Sequence, residues 1–191
     1  MFFGTCQSGS PVKPIRRSEW RVSFVFAKPD SRTQARFFEC LAGAFAPYRV
    51  SYSRAGFADT VLTGRTLRQR FREMTVLVAI DPSGDVIGTI AYQVAERGHG
   101  HVRGMALGPA WQGSGVAKSL LDRAESDLRK LRCNIMTLGT TKPLQRAIRF
   151  YEKNGFHATG EMRVFFGMDL VSYRKDIRRS KTDRTRPRPN E

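Results

Sequence analysis

The segment GPAWQGSGVAKSLLDRAE, Gly108 to Glu125, crowds three glycines, a proline and a tryptophan against a run with helical spacing. Glycine lets a ligand approach the backbone closely, and the first turn of a helix offers unpaired N–H groups to an anion. The junction therefore reads as a phosphate cradle. Two familiar cradles are excluded by the letters. A Walker A loop has Gly directly before Lys-Ser, whereas Ala117 precedes Lys118 and Ser119. A dinucleotide fingerprint needs Gly or Ala where Lys118 stands, and an acidic residue in strand context about twenty residues later; neither is present.

Downstream of the cradle, Leu120, Leu121, Ala124, Leu128 and Leu131 share one helical face, with Asp122, Arg123, Glu125 and Arg129 largely opposite. A strand, NIMTLGT, follows. The next helix, PLQRAIRFYEKNG, has Pro143 near its start, Leu144, Ala147, Ile148 and Tyr151 on one face, and Gly155 past its end. MRVFFGMDLVSYR supplies one or two closing strands.

Upstream, HVRGMAL is a strand leading into the cradle, preceded by the hairpin TVLVAI, DPSGD, VIGTIAYQV. TLRQRFREM reads as a short basic helix, and residues 48–63 show no clear period. DSRTQARFFECLAGAF carries a capping box, Ser31 with Gln34, then Ala35, Phe38, Leu41, Ala42 and Phe45 at helical spacing until Pro47. Trp20 to Ala27, WRVSFVFA, forms a first strand. The order β-α-α-β-β-β-α-β-α-β predicts a mixed sheet with helices on both faces. Strands and helices alternate only in the second half, which excludes a doubly wound parallel fold.

The 191 residues suit one domain: a leader over 1–17, a folded domain over 18–176 and a basic tail over 177–191. Three widely spaced cysteines, Cys6, Cys40 and Cys133, suggest neither a disulfide framework nor a metal site and fit a reducing, cytoplasmic setting. No apolar run approaches the roughly 20 residues that span a bilayer, so no membrane partner is expected. The net charge of +16 is spread along the chain, with eight Lys or Arg against three acids from Arg174 onward. A tail so poor in apolar residues stays solvated. Nucleic acid is therefore the less favoured partner, and a non-catalytic basic module binding RNA or DNA is the rival reading from another class.

In these motifs the chain resembles the GCN5-related N-acetyltransferase (GNAT) family. QGSGVA, Gln112 to Ala117, is similar to that family's pyrophosphate signature, and AIRFYEKNGF, Ala147 to Phe156, to its second motif, in order and at family-like separation. The resemblance covers roughly Trp20 to Asp176. It implies a single α/β (α+β) domain with a mixed, mostly antiparallel sheet flanked by helices, acetyl-CoA as cosubstrate, no metal, and direct transfer to an amine. A homodimer is a candidate assembly.

The resemblance also implies a site. Gln112, Gly113, Ser114, Gly115, Val116 and Ala117 would bind pyrophosphate, with Lys118 at the mouth as a candidate phosphate partner. By register, the backbone of Met105, Ala106 and Leu107 would hold the pantetheine arm and thioester. Side chains larger than Gly at 113 and 115 should clash with this arrangement. Tyr151 matches the tyrosine proposed to protonate the departing thiolate, although a core tyrosine would fit the same helix face. In the histone-modifying branch a glutamate base lies four residues before the CAI-like segment, and counting back from Met105 lands on His101, with His99 and Glu96 as competitors. Tyr48, Tyr52 and Phe57 are candidates for the acceptor pocket. Protein N-terminal acetyltransferases of the ribosomal-protein type carry Glu and Asn where Gly139 and Leu144 stand here. A basic enzyme also repels cationic peptides and polyamines. The expected acceptor is thus a small neutral or anionic amine, with a protein lysine or N-terminus as the alternative.

Overall fold

Alternate residues of the strand Thr75–Ile80 enter two different cores. Val76 and Val78 pack with Phe37, Leu41, Leu67 and Phe71, whereas Leu77 and Ala79 pack with Leu120, Leu121, Leu128 and Ile90. Successive side chains of a strand project to opposite faces, so a strand covered on both faces needs apolar residues at every position. That is the physical reason for the unbroken run TVLVAI.

The computed structural model describes residues 20–25, 31–96 and 98–178. In chain order the elements are β1 (Arg21–Val25), α1 (Ser31–Phe45), α2 (Arg54–Val61), α3 (Gly64–Glu73), β2 (Thr75–Ile80), β3 (Val86–Glu96), β4 (His99–Leu107), α4 (Val116–Lys130), β5 (Ile135–Thr141), α5 (Gln145–Lys153), β6 (His157–Phe165) and β7 (Met168–Asp176). Short 3₁₀ turns cover Ala46–Ser51 and Pro109–Trp111. The strands form one sheet in the order β1-β2-β3-β4-β5-β7-β6. Every neighbouring pair is antiparallel except β4 with β5. The fold is thus α/β (α+β), a mixed and mostly antiparallel sheet with α4 buried on one face and α1 and α3 on the other.

Most elements fall where the sequence places them. The aperiodic stretch 48–63 holds α2, which sequence periodicity does not reveal because only Gly56 of that helix is buried. A cap fixes it instead: the Ser53 hydroxyl accepts a hydrogen bond from the Gly56 N–H at 3.1 Å. The closing segment resolves into two strands, β6 and β7, joined at Phe166 and Gly167. The Ser31 side chain, and with it the expected capping box, lies outside the described residues, as do the leader over 1–17 and the tail beyond Arg178. The packed chain runs one residue past the boundary expected at 176. Ile177 is fully buried, and its N–H donates to the Asn134 carbonyl at 2.8 Å.

Two irregularities in β4 shape everything that follows. Its parallel ladder with β5 runs only from His99 opposite Ile135 to Val102 opposite Leu138. Beyond that point the two strands part, leaving residues 103–107 and 139–141 on either side of an opening. On its other edge, Thr89 pairs with Ala106 and Ala91 with Arg103, so Gly104 and Met105 together face the single residue Ile90. This bulge turns the strand at the lip of the opening, and Gly104 supplies the left-handed backbone it needs, with φ at +63°.

Candidate active site

The parting of β4 from β5 produces two adjoining clefts, one of about 210 Å³ and one of about 200 Å³. Phe45, Met105, Leu144, Ala147 and Tyr151 line both and form the waist between them.

The smaller cleft gathers Met105, Ala106, Leu107, Gln112, Gly113 and Ala117 of the expected cofactor residues. Its floor is the junction that opens α4. Gly113 and Gly115 have φ of +85° and +91°, and Gly115 is the helix N-cap with no side-chain cap of its own. A β-carbon at Gly113 would meet no protein atom within 4 Å. The glycine there thus answers to backbone conformation and open space, not to a neighbouring protein group. Among the described residues only a long contact, Val116 N–H to the Ser114 hydroxyl at 3.5 Å, touches this helix start, which is open above Gly113 and suits an anion. Trp111, buried at the core, sets the turn: its carbonyl accepts from the Ser114 hydroxyl at 2.6 Å and from the Ser114 N–H at 3.3 Å.

Four expected cofactor residues, Ser114, Gly115, Val116 and Lys118, do not line this cleft. The Val116 side chain is committed to the core, leaving only its backbone for a ligand. Lys118 is exposed and paired with Asp122 at 2.6 Å. Arg146, on α5, is a cation at this cleft that the sequence motifs did not single out.

The larger cleft contains Tyr52, Arg70, His101, Arg103, Gly104 and Thr140 among its lining residues. His101 Nδ1 lies 3.1 Å from the Thr137 hydroxyl, which donates its own hydrogen to the Gly100 carbonyl at 3.1 Å. With the Thr137 hydrogen directed at Gly100, Thr137 would accept from Nδ1–H and Nε2 would keep its lone pair. Burial, followed by the fields of Arg103 and Arg163, lowers the His101 pKa from its usual value, so the ring is neutral at pH 7. Its rivals His99 and Glu96 are exposed at the strand ends and line neither cleft.

Tyr151 sits at the waist, and burial alone raises its pKa well above that of a free phenol. It therefore stays protonated at neutral pH, with a hydroxyl hydrogen to donate. It is also a core residue, 8 % exposed and packed edge-on to Phe156. Of the three aromatic acceptor candidates, only Tyr52 lines the larger cleft, its hydroxyl 2.9 Å from Thr141 Oγ1. Tyr48 faces the smaller cleft, and Phe57 stands behind Tyr52 as an edge-on partner.

The chain resembles solved structures of small acetyltransferases along most of its length. A GNAT-family acetyltransferase from Staphylococcus aureus superposes with a TM-score of 0.66 at 15 % identity, over 83 % of this chain and 100 % of that one. The PaiA N-acetyltransferase of Thermoplasma acidophilum, solved with coenzyme A, gives 0.67 at 17 % identity, over 82 % and 98 %. An acetyltransferase from Streptococcus agalactiae gives 0.67 at 16 %, over 83 % and 99 %. No protein of curated function matches the chain in sequence. The profile of the Acetyltransferase (GNAT) family matches residues 37–156, a span that holds the cradle, the parted strands and Tyr151, and the chain belongs to that family.

Proposed function

We propose that this protein transfers an acetyl group from acetyl-CoA directly to the primary amine of a small molecule, without a metal. The observation that carries the reading is the pair of clefts meeting at Met105 and Tyr151. One ends at an uncapped helix start suited to a pyrophosphate, the other holds a neutral imidazole. An amine entering from the His101 side reaches the waist opposite a thioester laid along β4. There the amine nitrogen bonds to the acetyl carbon, the carbon–sulfur bond breaks, and the thiolate takes a proton. Tyr151, kept protonated by burial, is placed to donate that proton or a hydrogen bond. The amine must lose its own proton, and His101 Nε2, directly or through water, is the acceptor on this side.

The small-molecule acceptor is supported by Gly139 and Leu144. A β-carbon at Gly139 would stand 2.7 Å from Leu170 Cδ2, so the glutamate that N-terminal acetyltransferases place there has no room without movement of that side chain. Leu144 fills the waist with an apolar side chain where those enzymes carry asparagine.

Calorimetry of acetyl-CoA against the native protein and Gly115→Glu, followed by free-thiol release with a panel of amines, tests the proposal. Saturable binding lost in the variant, with thiol release for one amine class, supports it. A folded native protein that does not bind acetyl-CoA removes the enzyme reading and promotes the basic module. Turnover of peptides in preference to small amines replaces the acceptor class.

A further inference from the structure

The helix α3 buries Leu67, Arg70 and Phe71, three positions on one face, and the middle one is an arginine. Arg70 is only 6 % exposed, yet it lines the larger cleft. Asp59 and Glu73 counter it only in part: the Asp59 carboxylate is taken by Arg103 at 2.7 Å, Arg70 Nη2 reaches the Asp59 carbonyl at 3.5 Å, the outer limit of a hydrogen bond, and no carboxylate among the described residues forms a salt bridge with Arg70. Two guanidinium groups thus share the Asp59 carboxylate, with Glu73 a further partial counter-charge to Arg70, beside a cavity that no acid among the described residues lines. Burial, followed by the proximity of Arg103, lowers the Arg70 pKa to about 10, so the group still carries its charge at pH 7. A buried charge that is only partly countered is costly unless a ligand completes the pairing.

We propose that the acceptor is an amine that also carries a carboxylate, and that Arg70 binds this carboxylate inside the larger cleft. The inference rests on the transferase reading above and names its substrate class. One guanidinium without a salt bridge among the described residues matches a monoanion, and its planar fork matches the two oxygens of a carboxylate. A zwitterion seated this way holds its acid end at Arg70 and directs its amine toward the waist at Met105 and Tyr151. A simple alkylammonium meets the same cation as repulsion. The hydroxyl of Thr140, buried at this cleft without a hydrogen-bond partner among the described residues, is a second polar group available to such a ligand.

The test compares α-amino acids, β-alanine and γ-aminobutyrate, each beside its own amide, with phosphoethanolamine as a dianionic amine. Free-thiol release is followed for the full chain, and acetyl-CoA binding is measured separately by calorimetry. The native protein is expected to favour at least one acid over its amide by about 100-fold in kcat/KM, the scale of losing one side of a buried charge pair. In Arg70→Met that preference disappears through KM while acetyl-CoA affinity is unchanged; Arg70→Lys recovers part of it. A merely structural Arg70 would leave the ratio of acid to amide untouched. The native comparison stands even if the variant fails to fold. Equal turnover of acid and amide overturns the proposal, as does a best substrate without a carboxylate, or acetyl-CoA binding without turnover of any acid. Failure of acetyl-CoA to bind overturns the transferase reading itself.

Discussion

The guanidinium of Arg70 occupies the space into which any side chain at position 104 would project: a β-carbon on Gly104 would stand 2.7 Å from Arg70 Nη1. The strand bulge and the buried cation are therefore mutually dependent, although 34 positions of chain separate them. Because Nη1 ends a flexible side chain, it can retreat, but the φ of +63° at Gly104 remains unfavourable for any other residue. Gly104→Ala is expected to cost about 1–2 kcal/mol in urea unfolding. Its kinetic signature is a raised acceptor KM with acetyl-CoA affinity little changed.

The cradle separates conformation from occupancy. Open space above Gly113 means that Gly113→Ala meets no protein atom, so its stability loss is confined to about 1 kcal/mol of backbone strain. The same methyl lies where the pyrophosphate is proposed to bind. Acetyl-CoA affinity, read by calorimetry, is expected to fall about tenfold or more, equivalent to about 1.4 kcal/mol.

Tyr151→Phe removes a hydroxyl whose environment supplies burial and no hydrogen bond to shift its pKa. Such a change leaves thermal stability unaltered or raised, since no native hydrogen bond is lost. Activity moves the other way, with kcat falling about 100-fold if the phenol assists the thiolate. A variant of equal kcat would assign Tyr151 to packing alone.

The neutral state of His101 sets a pH dependence. Its folded-state pKa lies below the usual 6.5, so as pH falls through 6.5 the unfolded chain takes up a proton before the native ring does. Stability therefore declines on the acid side, and above 6.5 this residue contributes no pH dependence. In kcat/KM the corresponding acid limb has its midpoint below 6.5, and His101→Gln removes it. Thr137→Val, which deletes the acceptor for Nδ1–H, is expected to lower kcat while leaving acetyl-CoA binding intact.

Ile177 supplies a test of packing beyond residue 176. It is fully buried, and its carbonyl accepts from Arg129 Nε at 2.8 Å. Ile177→Ala is expected to cost about 2–5 kcal/mol in chemical denaturation. Leu131→Ala, at a side chain 54 % exposed, should cost well under half of that.

Arg70 was within reach of sequence reading. Leu67, Arg70, Phe71 and Met74 recur at the spacing of a core-facing helix stripe, and all four are buried. The basic character of TLRQRFREM conceals this, because a helix so rich in arginine looks solvated throughout. Trp111 is a related case: visible in the cradle, yet its role in fixing the turn appears only through its contacts with Ser114. Helix α2 was the least legible element, since a single side-chain cap and one buried glycine leave no periodic trace.

What the sequence by itself determined is local. Glycines at a strand-to-helix junction, apolar stripes on the helices and the unbroken run of β2 each follow from backbone preferences and burial within a few neighbouring residues. They were enough for the family resemblance and the fold class, and they carry the proposal of the phosphate cradle. The tertiary structure decided the rest. The parting of β4 from β5, the pairing of Tyr52 with Thr141 across 89 positions, and the meeting of Arg70 with Gly104 join residues distant along the chain. No local pattern specifies such contacts, because each depends on how several separately formed elements pack against one another. The proposed cofactor cleft is legible in sequence because a consecutive run of backbone builds its floor. The proposed acceptor cleft is not, because α3 contributes one side chain to it and β4, β5 and α5 only a few each.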